Sequence, residues 1–300
     1  MSRAPILFLI FNRPETTARV FAEIREWRPQ RLYVAADGPR ERVQGEAERC
    51  ARSRTIALTV DWPCEVFTLL RDTNLGCMKA VSSAISWFFD REPEGIVLED
   101  DCLPDRTFFS YCENLLAHHR NDVRIMHITG DNFQNGRIRG NYSYYFSRYN
   151  HVWGWASWRR AWALFEPAIQ SFPDFVNTED FKLIFARKDV REYWRHQFEL
   201  LHEGKIDTWD YYWAYAIWRN NGLCIIPNRN LVSNIGYQGN GTHTSNPRDA
   251  LSNMARIPME TIQHPKIVNV CAEADSFSFD LVFSQSLNQR LRRKWRGWLQ

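Results

Sequence analysis

An apolar run, Ile96-Val97-Leu98, ends directly in three adjacent carboxylates, Glu99, Asp100 and Asp101. Like charges that close raise one another's pKa, so the cluster calls for a positive partner. A divalent cation is one such partner. Hard Mg2+ or Mn2+ prefers oxygen ligands and commonly takes only one or two carboxylates, leaving its remaining positions to substrate phosphates. Successive side chains on an extended segment point to opposite faces, so the three acids are expected to divide tasks rather than grip one ion together. The plainer alternative is three solvated carboxylates ahead of a helix that begins near Asp105.

A second acidic pair lies in IDTWDYYW, where Asp207 and Asp210 sit among Trp209, Tyr211, Tyr212 and Trp213. Aromatic surroundings raise a carboxylate's pKa toward a value useful to a general base. The structural alternative has Asp207 as N-cap and Asp210 in the first turn of a helix, favoured by the helix dipole. Arg13 before Pro14 and Asp37 before Gly38 read, on their own, as a helix start and a turn. Trp153, Trp155, Trp158 and Trp162 either fill a core or form a platform for sugar rings. His243 stands in a polar stretch from which an imidazole could assist a leaving group. His127 and His151 read as core or edge residues.

The elements that would position these residues follow from hydrophobic spacing. Residues 6–11 are apolar on both faces, as in a strand covered by helices on each side, and Pro14 opens a helix whose Val20, Phe21, Ile24 and Trp27 share a face. Residues 32–36 and 66–70 give two more strands, with a charged helical stretch over 46–54 between them. A helix over 79–89, with Ala80, Ala84, Trp87 and Phe88 inward, leads to the strand 96–98. Four strands alternating with three helices predict a mostly parallel α/β sheet, whose ligands gather at the carboxyl ends of the strands. Those ends carry Asn12 and Arg13, Asp37 and Gly38, residues 71–74, and the acidic cluster. Further on, residues 124–128 and 142–146 read as strands. Helices are expected over 155–165, near Lys182, over 193–201 and over 209–219. No linker divides the chain, so one unit is expected over 1–244, with halves 1–104 and 105–244 and a polar tail over 245–300.

The chain of 300 residues is 44% hydrophobic, ample for a large core, and its net charge of +3 gives no reason to expect a nucleic-acid partner. Seven cysteines without metal-ligand spacing fit a reducing cytoplasm. No apolar run approaches the roughly 20 residues that span a bilayer. Arg290, Arg292, Arg293, Lys294 and Arg296 alternate with Leu291, Trp295, Trp298 and Leu299, which suits peripheral contact of residues 290–300 with an anionic membrane inner face.

The ordered set PILFLIFNR, YVAADG, VLEDDCLPDRTFFSY, GWASW, DTWDYYW and CIIPNRNLVSNIGYQGNGTH, over residues 4–244, resembles the GT-A fold glycosyltransferases, most closely the N-acetylglucosaminyltransferase I type. The resemblance implies a GT-A nucleotide-diphospho-sugar transferase fold: 1–104 as nucleotide-binding half, and 105–244 as a helical, aromatic acceptor half. By the same resemblance Arg13 and Asp37 would hold the nucleoside, Asp37 accepting a uracil imide N–H. Asp101 would bind the metal, Asp100 the ribose and Glu99 the donor-sugar hydroxyls, while Gly154-Trp155 would open a helix beside that sugar. Asp210 would be the base. Asp207 is the alternative base, because Tyr211 stands where the family often repeats an acid. The implied activity is metal-dependent, inverting transfer with Mn2+ or Mg2+, from a nucleotide-sugar donor, UDP-linked, to a glycan or lipid-linked acceptor. Two other classes stay open: a sugar nucleotidyltransferase, for which NRPETT supplies no glycine-rich phosphate loop, and a non-catalytic glycan-binding module.

Overall fold

The first hundred residues alternate strand and helix as their spacing predicts. Strands β1 (Ile6–Ile10), β2 (Arg31–Ala36), β3 (Glu65–Leu70) and β4 (Glu94–Glu99) are joined by helices α1 (Pro14–Trp27), α2 (Glu46–Ala57) and α3 (Cys77–Phe89). All four strands are parallel, paired β3-β2-β1-β4. Each successive side chain of β1 and β2 faces the other side, so Leu7, Leu9, Tyr33 and Ala35 enter one core while Ile6, Phe8, Leu32 and Val34 enter a second. This computed structural model describes residues 3–236, 251 and 253–284.

The second half completes the same sheet. After β5 (Cys102–Pro104) and helix α4 (Arg106–His119), whose N-cap Asp105 accepts from Thr107 N, come β6 (Ile125–Thr129), β7 (Tyr144–Ser147) and β8 (Trp155–Trp158). Helices α5 (Arg159–Trp162), α6 (Phe172–Phe175), α7 (Glu179–Ile184), α8 (Lys188–His202) and α9 (Asp210–Arg219) follow, then β9 (Leu223–Pro227) and β10 (Val232–Asn234). The eight-stranded order is β3-β2-β1-β4-β8-β6-β9-β7, and β5 pairs with β10 in a small antiparallel sheet. One sheet therefore crosses the expected boundary at residue 104. The result is a mixed α/β fold with a large, mostly parallel sheet flanked by helices. Among the described residues no helix is long and apolar enough to cross a membrane.

Two expectations fail. The helix expected over 155–165 is instead strand β8 followed by the short α5. Ala156 pairs with both Ile96 and Ile128, so the segment fills the gap between β4 and β6, and those ladder bonds outweigh a helical aromatic spacing. The polar tail expected over 245–300 is also corrected for residues 253–284, which pack against the sheet and include helix α10 (Ala272–Ser278). Cys271 N donates to Phe146 O at 2.8 Å, Gln134 Nε2 donates to Ala274 O at 3.1 Å, and Ala274 and Phe279 are buried. His243 and the basic segment 290–300 lie outside the described residues.

Candidate active site

The carboxyl ends of β1, β2 and β4 open onto a cleft of about 560 Å³, lined among others by Arg13, Asp37, Glu99, Asp101 and Asp210. Its acidic floor is built by strand topology. Strand β4 ends at Glu99, the chain turns through Asp100 and Asp101, and β5 then pairs with β10, so that Ile235 N donates to Asp101 O at 2.8 Å. Gly236, next along, crosses the face of Asp101, where any Cβ would collide with the carboxylate Oδ2. A side chain there is excluded by Asp101 itself.

The positive partner that the acids require is present within the chain. Arg13 Nη1 is bonded closely to Asp101 Oδ2 and lies 3.4 Å from Asp100 Oδ1. Burial works against the guanidinium's charge, but Asp100, Asp101 and Glu99 more than offset it and hold Arg13 above the ordinary arginine range. Its Nε is buried with no hydrogen-bond partner among the described residues. Arg13 thus lines the cleft engaged by the acids. Burial, then repulsion from Asp101 and Asp100, raises Glu99; burial likewise raises Asp100, with Arg13 opposing. Asp100 Oδ2 also accepts from Phe11 N at 2.9 Å, so this residue fixes the end of β1 rather than presenting two free oxygens to a ribose.

Asp37 lines the cleft at the end of β2, but its oxygens already accept from Gly38 N, Leu75 N and Asn74 Nδ2, each at 3.0 Å. Burial raises its pKa and these backbone bonds oppose the shift. A carboxylate has about four lone-pair sites, so little capacity is left for a nucleobase. Asp37 organises the loop that carries Asn74 into the cleft.

The two candidate bases separate. Asp207 accepts from Cys77 N at 3.1 Å and Met78 N at 2.8 Å, so it caps α3, not α9. The reason is Gly76, the α3 N-cap residue, which has no side chain to offer. The expected alternative base is therefore a structural tie. Asp210, the first residue of α9, is half-buried in the cleft and accepts from Thr208 Oγ1. It is also among the charges that raise Glu99. Its aromatic neighbours do not enclose it as expected. Trp213 Nε1 donates to His127 Nδ1 at 3.2 Å in the core, and Tyr212 OH donates to Leu201 O at 3.1 Å. Trp209 and Tyr211 do line the cleft.

Gly154 and Trp155 are not among the residues that line the cleft. Gly154 has φ +67°, which favours glycine, and a Cβ there would meet Val232 and Leu98; it opens a strand, not a helix. Trp155 is fully buried, its ring 5.0 Å from that of His127 and 5.6 Å from that of Trp209. Trp158 and Trp162 are also core residues, as the first of the two readings has it, and only the half-buried Trp153 is left to the sugar-platform alternative. His127 and His151 are buried in the core, and burial lowers their pKa to about 4 and about 3. The sequence reading missed Arg40, Gln197 and Asn234 as cleft residues. Only Asn234 carried a signal, two residues before Gly236 in the quoted SNIG.

Fold and cleft together define an α/β protein with an acidic site at the carboxyl ends of parallel strands. No known family model matches the chain, and no curated protein matches it. Among solved structures it is similar to HddC from Yersinia pseudotuberculosis, at 11% identity and a TM-score of 0.31, over 52% of this chain and 77% of that one. So slight a likeness leaves the functional reading to the site itself.

Proposed function

We propose that this protein is a metal-dependent, inverting glycosyltransferase of the GT-A fold, moving a sugar from a nucleoside diphosphate donor, uridine-linked, to a hydroxyl of a glycan or lipid-linked acceptor. The observation that supports this most is that Asp101 and Asp210, from distant parts of the chain, line one cleft at the carboxyl ends of parallel strands. The donor set fits a hard cation: it is all carboxylate oxygen, and Asp101 would hold the ion with Glu99 and Asp100 adjoining. Bound there, Mn2+ or Mg2+ would supply electrostatic stabilisation of the departing diphosphate. Asp210 takes the proton of the acceptor hydroxyl as its oxygen bonds to the anomeric carbon. The bond from that carbon to the diphosphate breaks, and the diphosphate leaves with the electron pair. Such base catalysis contributes about 10² to 10⁴ in rate. Trp209 and Tyr211 line the same cleft as Asp210.

A second reading is favoured by the Arg13–Asp101 ion pair. In it the guanidinium itself carries the positive charge, and transfer needs no metal. The experiment for both is a panel of nucleotide sugars incubated with the protein, with Mn2+ or with EDTA, and release of nucleoside diphosphate followed. Turnover only with Mn2+ supports the first reading and turnover in EDTA the second. No turnover with any donor, together with no nucleotide binding, refutes both.

A further inference from the structure

Helix α4 ends in His118 and His119, and His264 from the returning segment lies against them. Each ring offers one nitrogen, and the three nitrogens lie within 4.8 Å of one another. The rings of His118 and His264 stack with centroids 3.7 Å apart, and His118 meets His119 edge-on at 4.6 Å. Buried Tyr144 on β7 holds two of the rings from one hydroxyl, 2.9 Å from His119 Nε2 and 3.0 Å from His264 Nδ1. No carboxylate hydrogen-bonds to any of the three rings among the described residues.

We propose that His118, His119 and His264 form a binding site for a borderline divalent transition metal of the Zn2+, Co2+ and Ni2+ class, one that pins the returning segment to α4. Imidazole nitrogen suits these ions, whereas the carboxylate cluster of the cleft suits Mg2+ or Mn2+, so the two sites select different metals. Zinc–nitrogen bonds of about 2.0–2.1 Å put tetrahedral ligand atoms about 3.4 Å apart. The cluster therefore has to contract by up to about 1.4 Å. Exposed His118 is the ring with room to turn inward, while His119 and His264 are both held by Tyr144. Tyr144 acts as the outer partner that orients two ligand rings, a role usually filled by a hydrogen-bonding group behind a metal-bound histidine. Three protein ligands leave one position to water. The site is open to solvent at His118, and it joins residues far apart in sequence.

The test uses the untagged full-length chain, stripped with EDTA and titrated with Zn2+ by calorimetry and with Co2+ by visible absorption. The proposal expects one Zn2+ per chain, a tetrahedral Co2+ spectrum and a raised thermal midpoint. His118→Ala and His264→Ala should each weaken binding by at least about tenfold and abolish the thermal shift, whereas replacing the exposed His196, which belongs to neither site, by Ala should leave all three readouts unchanged. His118 is exposed, so its replacement leaves the fold intact. Absence of stoichiometric Zn2+ binding overturns the proposal, as does equal binding by the wild type and both histidine variants.

Discussion

Replacing Asp207 separates structure from chemistry in the acidic half of the cleft. The carboxylate accepts two backbone N–H groups at the start of α3, from residues distant in sequence. Removing a capping side chain costs about 0.5–2 kcal/mol. Loss of a negative charge at a helix N-terminus adds about 0.3–1 kcal/mol. Asp207 is exposed, so water replaces part of what is lost, and the lower half of the summed range applies. Asp207→Ala should therefore cost about 0.8–1.9 kcal/mol. With an unfolding entropy of about 2.1 cal/mol/K per residue, a chain this long has about 0.6 kcal/mol/K, so the thermal midpoint should fall by about 2 °C. Differential scanning calorimetry reads that shift. In the same preparation, Asp207→Asn should keep nucleoside diphosphate release within about threefold of wild type, while Asp210→Asn should lower it by about 10² to 10⁴ with donor binding spared. The reasoning fails if Asp207→Asn loses transfer as severely as Asp210→Asn while its thermal midpoint stays at the wild-type value.

Arg13→Met removes the guanidinium that occupies Asp101 and Asp100, so Mn2+ titrated alone should bind about tenfold tighter, equivalent to about 1.4 kcal/mol; unchanged affinity would mean that arginine and cation do not share the site. Asp131 is fully buried, with Thr129 Oγ1 as donor, and burial pushes its pKa up to about 7 from the ordinary 3.8. The folded state then holds the proton more tightly than the unfolded chain. Its stabilising contribution is full below about pH 4 and is lost as pH rises through about 7. Asp131→Asn should flatten that part of the difference curve in urea titrations from pH 4 to 8. Parallel wild-type and variant curves would contradict the assignment.

The parallel half of the sheet was legible because strands buried on both faces must be apolar throughout, and because Val20, Phe21 and Ile24 mark one face of α1 unambiguously. The aromatic half was not. Trp155, Trp158 and Trp162 fit a helical spacing as well as they fit a strand and the turn after it, and only the vacancy between β4 and β6 decides the matter. The charge problem at Glu99-Asp100-Asp101 was legible, since three adjacent acids demand a counter-charge, but its nearest solution, Arg13, depends on how β1 and β4 lie side by side. The role of Asp207 was hidden for the same reason. Its two partners sit on α3, and no local pattern around IDTWD announces a cap supplied to a helix so distant in sequence. The returning segment looked polar because its buried apolar residues, Met259, Ala274 and Phe279, are few and widely spaced.

Isothermal titration of uridine diphosphate, with and without Mn2+, against the wild type and Asp101→Ala tests the central claim most directly. The account predicts binding that strengthens markedly with Mn2+ in the wild type and gains nothing from Mn2+ in the variant. Binding that ignores Mn2+ in the wild type, or an undiminished Mn2+ effect in Asp101→Ala, would contradict it.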